Sequence, residues 1–234
     1  MVAGPIRLLR FDRVQRAPHW ANAGLFGALA LTALALHFPA VERVVGRLVL
    51  VATIHLWAGI AWPVPLIASL LGPWGARLRR DVRRFNRWTG AEIAWLWRSS
   101  SSSGSGSGSS SGDGLEMDKF NPGQKLHAPF VTGAMAVFLS TGIVMKWFGL
   151  FPVGWRTGAT FVHELLAFVI VVVVAGHVVM ALVRRDALRS MVRGWVTVAW
   201  AQRHAPLWAR DELAGSQPAR ASVTAVRKDA PVSR

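Results

Sequence analysis

Cysteine is absent from all 234 residues. Its absence excludes disulfides, thiolate catalysis, iron–sulfur ligation and covalent attachment of a c-type haem. Any redox group must therefore be held non-covalently, and histidine is the ligand available for it. Acidic residues are scarce as well: 12 Asp and Glu stand against 27 Lys and Arg, a formal net charge of +15. That balance alone fits a nucleic-acid partner, but no reading module or aromatic–basic platform accompanies it, so nucleic acid is not expected. The charges mostly avoid the apolar runs and gather in particular connections, as membrane topology requires. A cleavable leader is not expected either. The first apolar run is about 20 residues, longer than a signal h-region, and no small-x-small site closes it.

What the chain does hold is apolar length. Its residues are 52% hydrophobic with a mean hydropathy of +0.34, beyond an ordinary soluble domain. Four runs are long enough to cross lipid as helices: about Pro18 to Ala40, Leu48 to Gly72, Leu126 to Met145 and Phe161 to Val183. Pro63 and Pro65 should kink the second run in its later half. The expected fold is all-α, a four-helix transmembrane bundle with cytoplasmic interfacial helices. Residues 1–98 hold the first two spans and an interfacial helix between Gly75 and Arg98, where arginines alternate with Phe85, Trp88, Trp95 and Trp97. Residues 99–117 read as a flexible Ser/Gly-rich linker. Residues 118–212 hold the other two spans and a cytoplasmic helix, and 213–234 a disordered tail.

Arginine asymmetry sets the orientation. The N-terminal segment carries Arg7, Arg10, Arg13 and Arg16, and the second connection Arg77, Arg79, Arg80, Arg83, Arg84 and Arg87. Beyond the fourth span come Arg184, Arg185, Arg189 and Arg193, whereas the first and third connections hold only Arg43, Arg47, Lys146 and Arg156. Both termini and the second connection are then cytoplasmic, in a multi-pass protein of the cell membrane.

Four histidines, His19, His55, His163 and His177, fall inside these spans, where polar side chains mark function by default. His163 and His177 are 14 residues apart, almost four turns of helix and roughly 21 Å of rise, in a hydrocarbon core about 30 Å thick. Depth pairs His55 with His163 on the outer side and His19 with His177 on the inner side. A lone intramembrane histidine is commonly a hydrogen-bonded packing residue; two depth-matched pairs point instead to two haems stacked across the membrane. Iron held by two imidazoles is a low-spin electron carrier. The leftover ring nitrogens need acceptors, for which carbonyls of the preceding turn are candidates. Gly24, Gly27, Gly59 and Gly176 offer small surfaces near these positions. His37 and His127 read as interfacial residues, and His204 lies in the cytoplasmic segment. The twelve tryptophans are mostly interface anchors.

A second informative stretch precedes the third span: Asp118-Lys-Phe-Asn-Pro-Gly-Gln-Lys-Leu126. Pro122 and Gly123 force a turn, and Asn121 and Gln124 carry donors and acceptors. A quinone head group needs such donors, and a helix cap needs the same residues.

This stretch resembles the Asn-x-Gly-Gln-Lys signature of the cytochrome b (gamma) subunit of membrane-bound respiratory formate dehydrogenases, a di-haem, cytochrome b561-like four-helix family. Arg10 to Trp20, ending in His-Trp, is similar to that family's opening. Thr141-Gly142 matches its recurrent Thr-Gly, His163 and His177 its ligands in the fourth span, and Gly194 to Trp208 its cytoplasmic ending. The likeness covers nearly the whole chain except the Ser/Gly stretch and the last 20 or so residues. Ala33 after Thr32 departs from the family's frequent Thr-Gly, and the Ser/Gly insertion is a further departure.

The resemblance implies two b haems, the outer held by His55 and His163 and the inner by His19 and His177. It implies a quinone bordered by Asn121, Gly123 and His177; Gln124 joins them for its donor chemistry. Electrons would pass from an extracytoplasmic iron–sulfur subunit to menaquinone near the cytoplasmic side. Substrate oxidation would belong to a separate catalytic subunit, since nothing here resembles a formate, hydrogen or molybdenum site. The cytochrome b subunit of a nickel–iron hydrogenase or thiosulfate reductase is a close alternative. A haem-free transporter or assembly factor, whose histidines handle metal or protons, is an alternative of another class.

Overall fold

The computed structural model describes residues 6–101 and 116–216. The chain divides into two compact units, one of residues 11–83 and 126–194, the other built around 6–10, 84–125 and the segment from Trp195 onward.

The first unit carries the apolar helices. Helix α1 (Arg13–His37) starts from a capping box: Asp12 accepts the Gln15 amide, and the Gln15 side chain accepts the Asp12 amide. After α2 (Pro39–Val45) the chain turns at Gly46 and enters α3 (Leu48–Ala61) and α4 (Val64–Leu71). The expected kink is a break at Trp62 and Pro63, where proline withholds an amide hydrogen from the helix ladder. In chain order α5 (Ala76–Phe85), α6 (Gly90–Ser101, within the second unit), α7 (Pro122–Lys146), α8 (Val153–Val183) and α9 (Arg185–Arg193) follow. Among the described residues four helical segments, Arg13–His37, Leu48–Leu71, Pro122–Lys146 and Val153–Val183, are long and apolar enough to cross a membrane. Their side chains face outward in a way a soluble protein would not tolerate: Leu31 is 69% exposed, Phe161 66% and Val172 71%. Lipid is the solvent that suits such a surface.

Polar contacts tie the end of α9 to the start of α1. The Phe11 amide donates to Gly194 O at 2.9 Å, Trp20 Nε1 to Met191 O at 3.2 Å, and the Arg16 guanidinium to Val192 O. Gln15 Nε2 also donates to the buried carboxylate of Asp81.

The second unit holds a feature the all-α expectation lacked. Strand β1 (Arg7–Leu9) pairs antiparallel with β2 (Trp195–Thr197), Leu8 opposite Val196. Helices α10 (Val198–His204) and α11 (Pro206–Ser216) close a small core of Val196, Ala201, Ala205, Trp208 and Ala209. Where one interfacial helix was expected, two helices form, because Thr89 and Glu92 cap each other's amides and start α6 afresh. Helix α6 runs to Ser101 and α11 to Ser216, past the expected starts of the linker and tail. Of the expected linker, residues 102–115, and of the tail, residues 217–234, lie outside the described residues; at the linker's far end Glu116 pairs with Arg210 and Met117 is buried, unlike a flexible segment. Inside this unit Lys125 and Glu92 form a buried ion pair at 2.5 Å, and Arg84 bridges Asp118 and Asp211.

Candidate functional site

Helix α8 presents His163 and His177, 14 residues apart, and a partner helix meets each. His55 of α3 faces His163 with ring centroids 6.3 Å apart and planes tilted by 57°. His19 of α1 faces His177 at the same 6.3 Å with a tilt of 60°. The pairs that depth alone selected are therefore the pairs that meet.

The repeated spacing has a chemical meaning. A metal–imidazole bond is about 2 Å long and the ring centroid lies about 1.1 Å beyond the nitrogen, so two imidazoles on one iron have centroids roughly 6.2 Å apart. Among the described residues no three His, Cys, Asp or Glu side chains converge as a metal-holding group. Two protein ligands suffice when a porphyrin supplies the rest of the coordination, so the donor set fits haem better than a bare cation. At Gly24, Gly27 and Gly176 an added Cβ would meet nothing within 4 Å, whereas at Gly59 it would touch Leu29. Two buried polar atoms near the pairs lack partners: Asn22 Oδ1, one turn from His19, and Arg156 Nε, two turns before His163. The Arg156 guanidinium sits 5.7 Å over the Phe148 ring.

The other ring nitrogens of the His55–His163 pair meet threonine hydroxyls rather than the expected carbonyls of the preceding turn. His55 Nδ1 lies 2.8 Å from Thr32 Oγ1, and His163 Nδ1 lies 2.8 Å from Thr141 Oγ1. Both threonines sit on neighbouring helices in otherwise apolar runs. A hydroxyl at the depth of a histidine was the available signal, but spacing along one helix does not reveal it. An aromatic row, Phe26–Trp62–Phe138–His163, runs through the same bundle with centroid separations of 5.8, 6.1 and 4.9 Å.

His127 has a contact that its interfacial reading did not include. Its ring stacks on His177, centroids 4.6 Å apart and planes 5° from parallel. That separation leaves no room for an iron between them, so His19 is the partner of His177 suited to share one. His37 packs edge-on against Phe168 at 5.4 Å. His204 stacks on Trp200 at 4.7 Å, away from both pairs in the sequence and in its contacts.

The turn before α7 is a capping box. Gln124 N–H donates to Asn121 Oδ1 at 2.9 Å, and Asn121 N–H to Gln124 Oε1 at 3.1 Å. Pro122 occupies the first helical position, where its missing amide hydrogen costs nothing. The cap thus uses both side-chain carbonyls and leaves the Asn121 and Gln124 amide NH2 groups, and the first-turn Gly123 N–H, as donors.

Comparison with known proteins identifies the family. A family profile described as prokaryotic cytochrome b561 matches residues 10–194. The formate dehydrogenase cytochrome b556 subunit of Haemophilus influenzae is 27% identical over 220 residues, covering 91% of this chain and 86% of the relative. From Escherichia coli K12, the cytochrome b556(fdo) subunit of formate dehydrogenase is 24% identical, covering 87% and 92%. The nitrate-inducible b556(Fdn) subunit of the same organism is 23% identical, covering 87% and 91%. With its profile spanning most of the chain and its four apolar helices, this protein belongs to the prokaryotic cytochrome b561 family, as a multi-pass membrane cytochrome of electron transport that binds b-type haem.

Proposed function

We propose that this chain is the di-haem membrane subunit of a formate dehydrogenase-like respiratory complex. It passes electrons from an extracytoplasmic iron–sulfur subunit, fed by a catalytic subunit, to menaquinone at the cytoplasmic side. The observation that carries this reading is the pair of imidazole pairs at one common spacing of 6.3 Å. The chain also aligns along most of its length with cytochrome b556 subunits of formate dehydrogenases.

In this reading His55 and His163 bind the outer haem and His19 and His177 the inner one. Haem b, held by these imidazole pairs, would supply reversible one-electron transfer. Arg156 offers its guanidinium to a carboxylate at the outer level. At the other end of the path, the Gly123 N–H and the Asn121 side-chain amide are donors for a quinone carbonyl. Gln124 contributes only its NH2, since its carbonyl serves the cap. Helix α7 begins at this turn and carries His127 one turn further on. The termini and second connection face the cytoplasm, so protons for quinone reduction come from that side and charge crosses the membrane.

Haem content tests the assignment. Purified protein should hold two b haems per chain, and His55→Ala and His19→Ala should each lose one while the apolar helices still insert. If both variants keep two haems, or the intact protein shows no b-type reduced-minus-oxidised spectrum, the assignment fails. Subunits that copurify from native membranes identify the catalytic partner.

A further inference from the structure

The two outer imidazoles are held in the same way, and the inner two are not. Thr32 Oγ1 lies 2.7 Å from Ala28 O and 3.0 Å from Leu29 O, the carbonyls of its own preceding turn. Thr141 Oγ1 lies 2.8 Å from Val137 O and 3.2 Å from Phe138 O. Each hydroxyl has one hydrogen, which those carbonyls take. Its oxygen can then only accept from the histidine, 2.8 Å away in both cases. Both rings are thereby set as the Nδ1–H tautomer, with Nε2 left as the donor of a lone pair. The two contacts are copies of each other: Thr32 of α1 reaches His55 of α3, and Thr141 of α7 reaches His163 of α8. Among the described residues His19 and His177 make no such bond, and the buried Asn22 Oδ1 near His19 bonds to neither ring.

We infer that Thr32 and Thr141 are positioning residues that set the reduction potential of the outer haem below that of the inner one. The inference rests on reading the two pairs as haem ligands. A relay from imidazole N–H through hydroxyl to carbonyl polarises along its length and makes the ligating nitrogen more basic. A more electron-donating imidazole favours oxidised iron, and second-shell hydrogen bonding is one of the protein's levers on potential. Two relays act on the outer iron and none on the inner. An electron delivered at the outer level is thus biased toward the inner one, so the direction of flow is written into two hydroxyl groups.

The test is a potentiometric titration of b-type absorbance in the intact complex. His55→Ala first identifies the outer component by its loss; if both components remain, the ligand assignment falls and this inference falls with it. With the components identified, T32V/T141V should raise the outer midpoint and leave the inner one in place, so the gap narrows. Thr→Ser at both positions should restore the original value, because serine keeps the hydroxyl. Unchanged midpoints with both haems bound, or equal movement of both, would overturn the inference. Should the double variant lose its outer haem, T32V and T141V singly carry the test: each should move the outer component upward by a smaller amount, and no movement in either counts against it.

Discussion

Lys125 Nζ lies 2.5 Å from Glu92 Oε1 and donates to Arg87 O at 2.8 Å, with the two side chains 3% and 6% exposed. Burying both charges is tolerable only because they meet; removing one leaves the other desolvated and unpaired. Glu92→Gln keeps an acceptor for the Thr89 amide but strands the lysine, and should cost about 3–5 kcal/mol, read as a lower thermal unfolding midpoint of the purified protein. A melt unchanged from wild type would mean the pair is open to water. Asn121 has two roles at this scale, and they separate by substitution. Asn121→Asp preserves the oxygen that caps α7 and removes the NH2 donor. Its melt should match wild type while quinone reoxidises the donor-reduced haems more slowly. Asn121→Ala also removes the cap, at a further cost of about 0.5–2 kcal/mol. Normal reoxidation in Asn121→Asp would reduce the turn to a structural cap.

Helix ends in this chain are set by local chemistry, and that part is legible in the sequence. Asp12-x-x-Gln15, Thr89-x-x-Glu92 and Asn121-x-x-Gln124 are all reciprocal caps. Those at Asp12 and Asn121 mark span starts that apolar run length alone places too late: the first span begins at Arg13 rather than Pro18, and the third at Pro122 rather than Leu126. The end of α9 depends on Gly194, which adopts a φ of +89°. A Cβ there would stand 2.6 Å from Phe11 O. Gly194→Ala should therefore cost about 1–2 kcal/mol from backbone conformation alone, and more from the clash with a segment that also donates to Gly194 O. Thermal unfolding measures it, and a wild-type midpoint would show that the α9 end rearranges freely. Strands β1 and β2 were not legible, since three residues give no alternating pattern and the partners lie nearly the length of the chain apart.

Across the whole molecule, arginine placement predicts that both termini and the second connection face the cytoplasm. A C-terminal fluorescent fusion should light up, and alkaline phosphatase inserted near Gly46 or Gly149 should be active. The reverse pattern at any of these points would invert the depths given to the histidines and the direction of electron flow with them. The family profile and the four apolar helices establish a membrane cytochrome; orientation is what these fusions add.

Some of this protein was fixed by its order of residues alone. Four runs long enough for lipid follow from rise per residue and the cost of charge in hydrocarbon, and arginine placement predicts their polarity and with it the depth of each histidine. Because depth is a one-dimensional quantity, His55 with His163 and His19 with His177 could be matched by counting. Rotation about each helix axis is different. Helices apolar on every side carry no stripe to say which face turns inward, so only packing decided that Thr32 and Thr141 reach His55 and His163 and that His127 lies flat on His177.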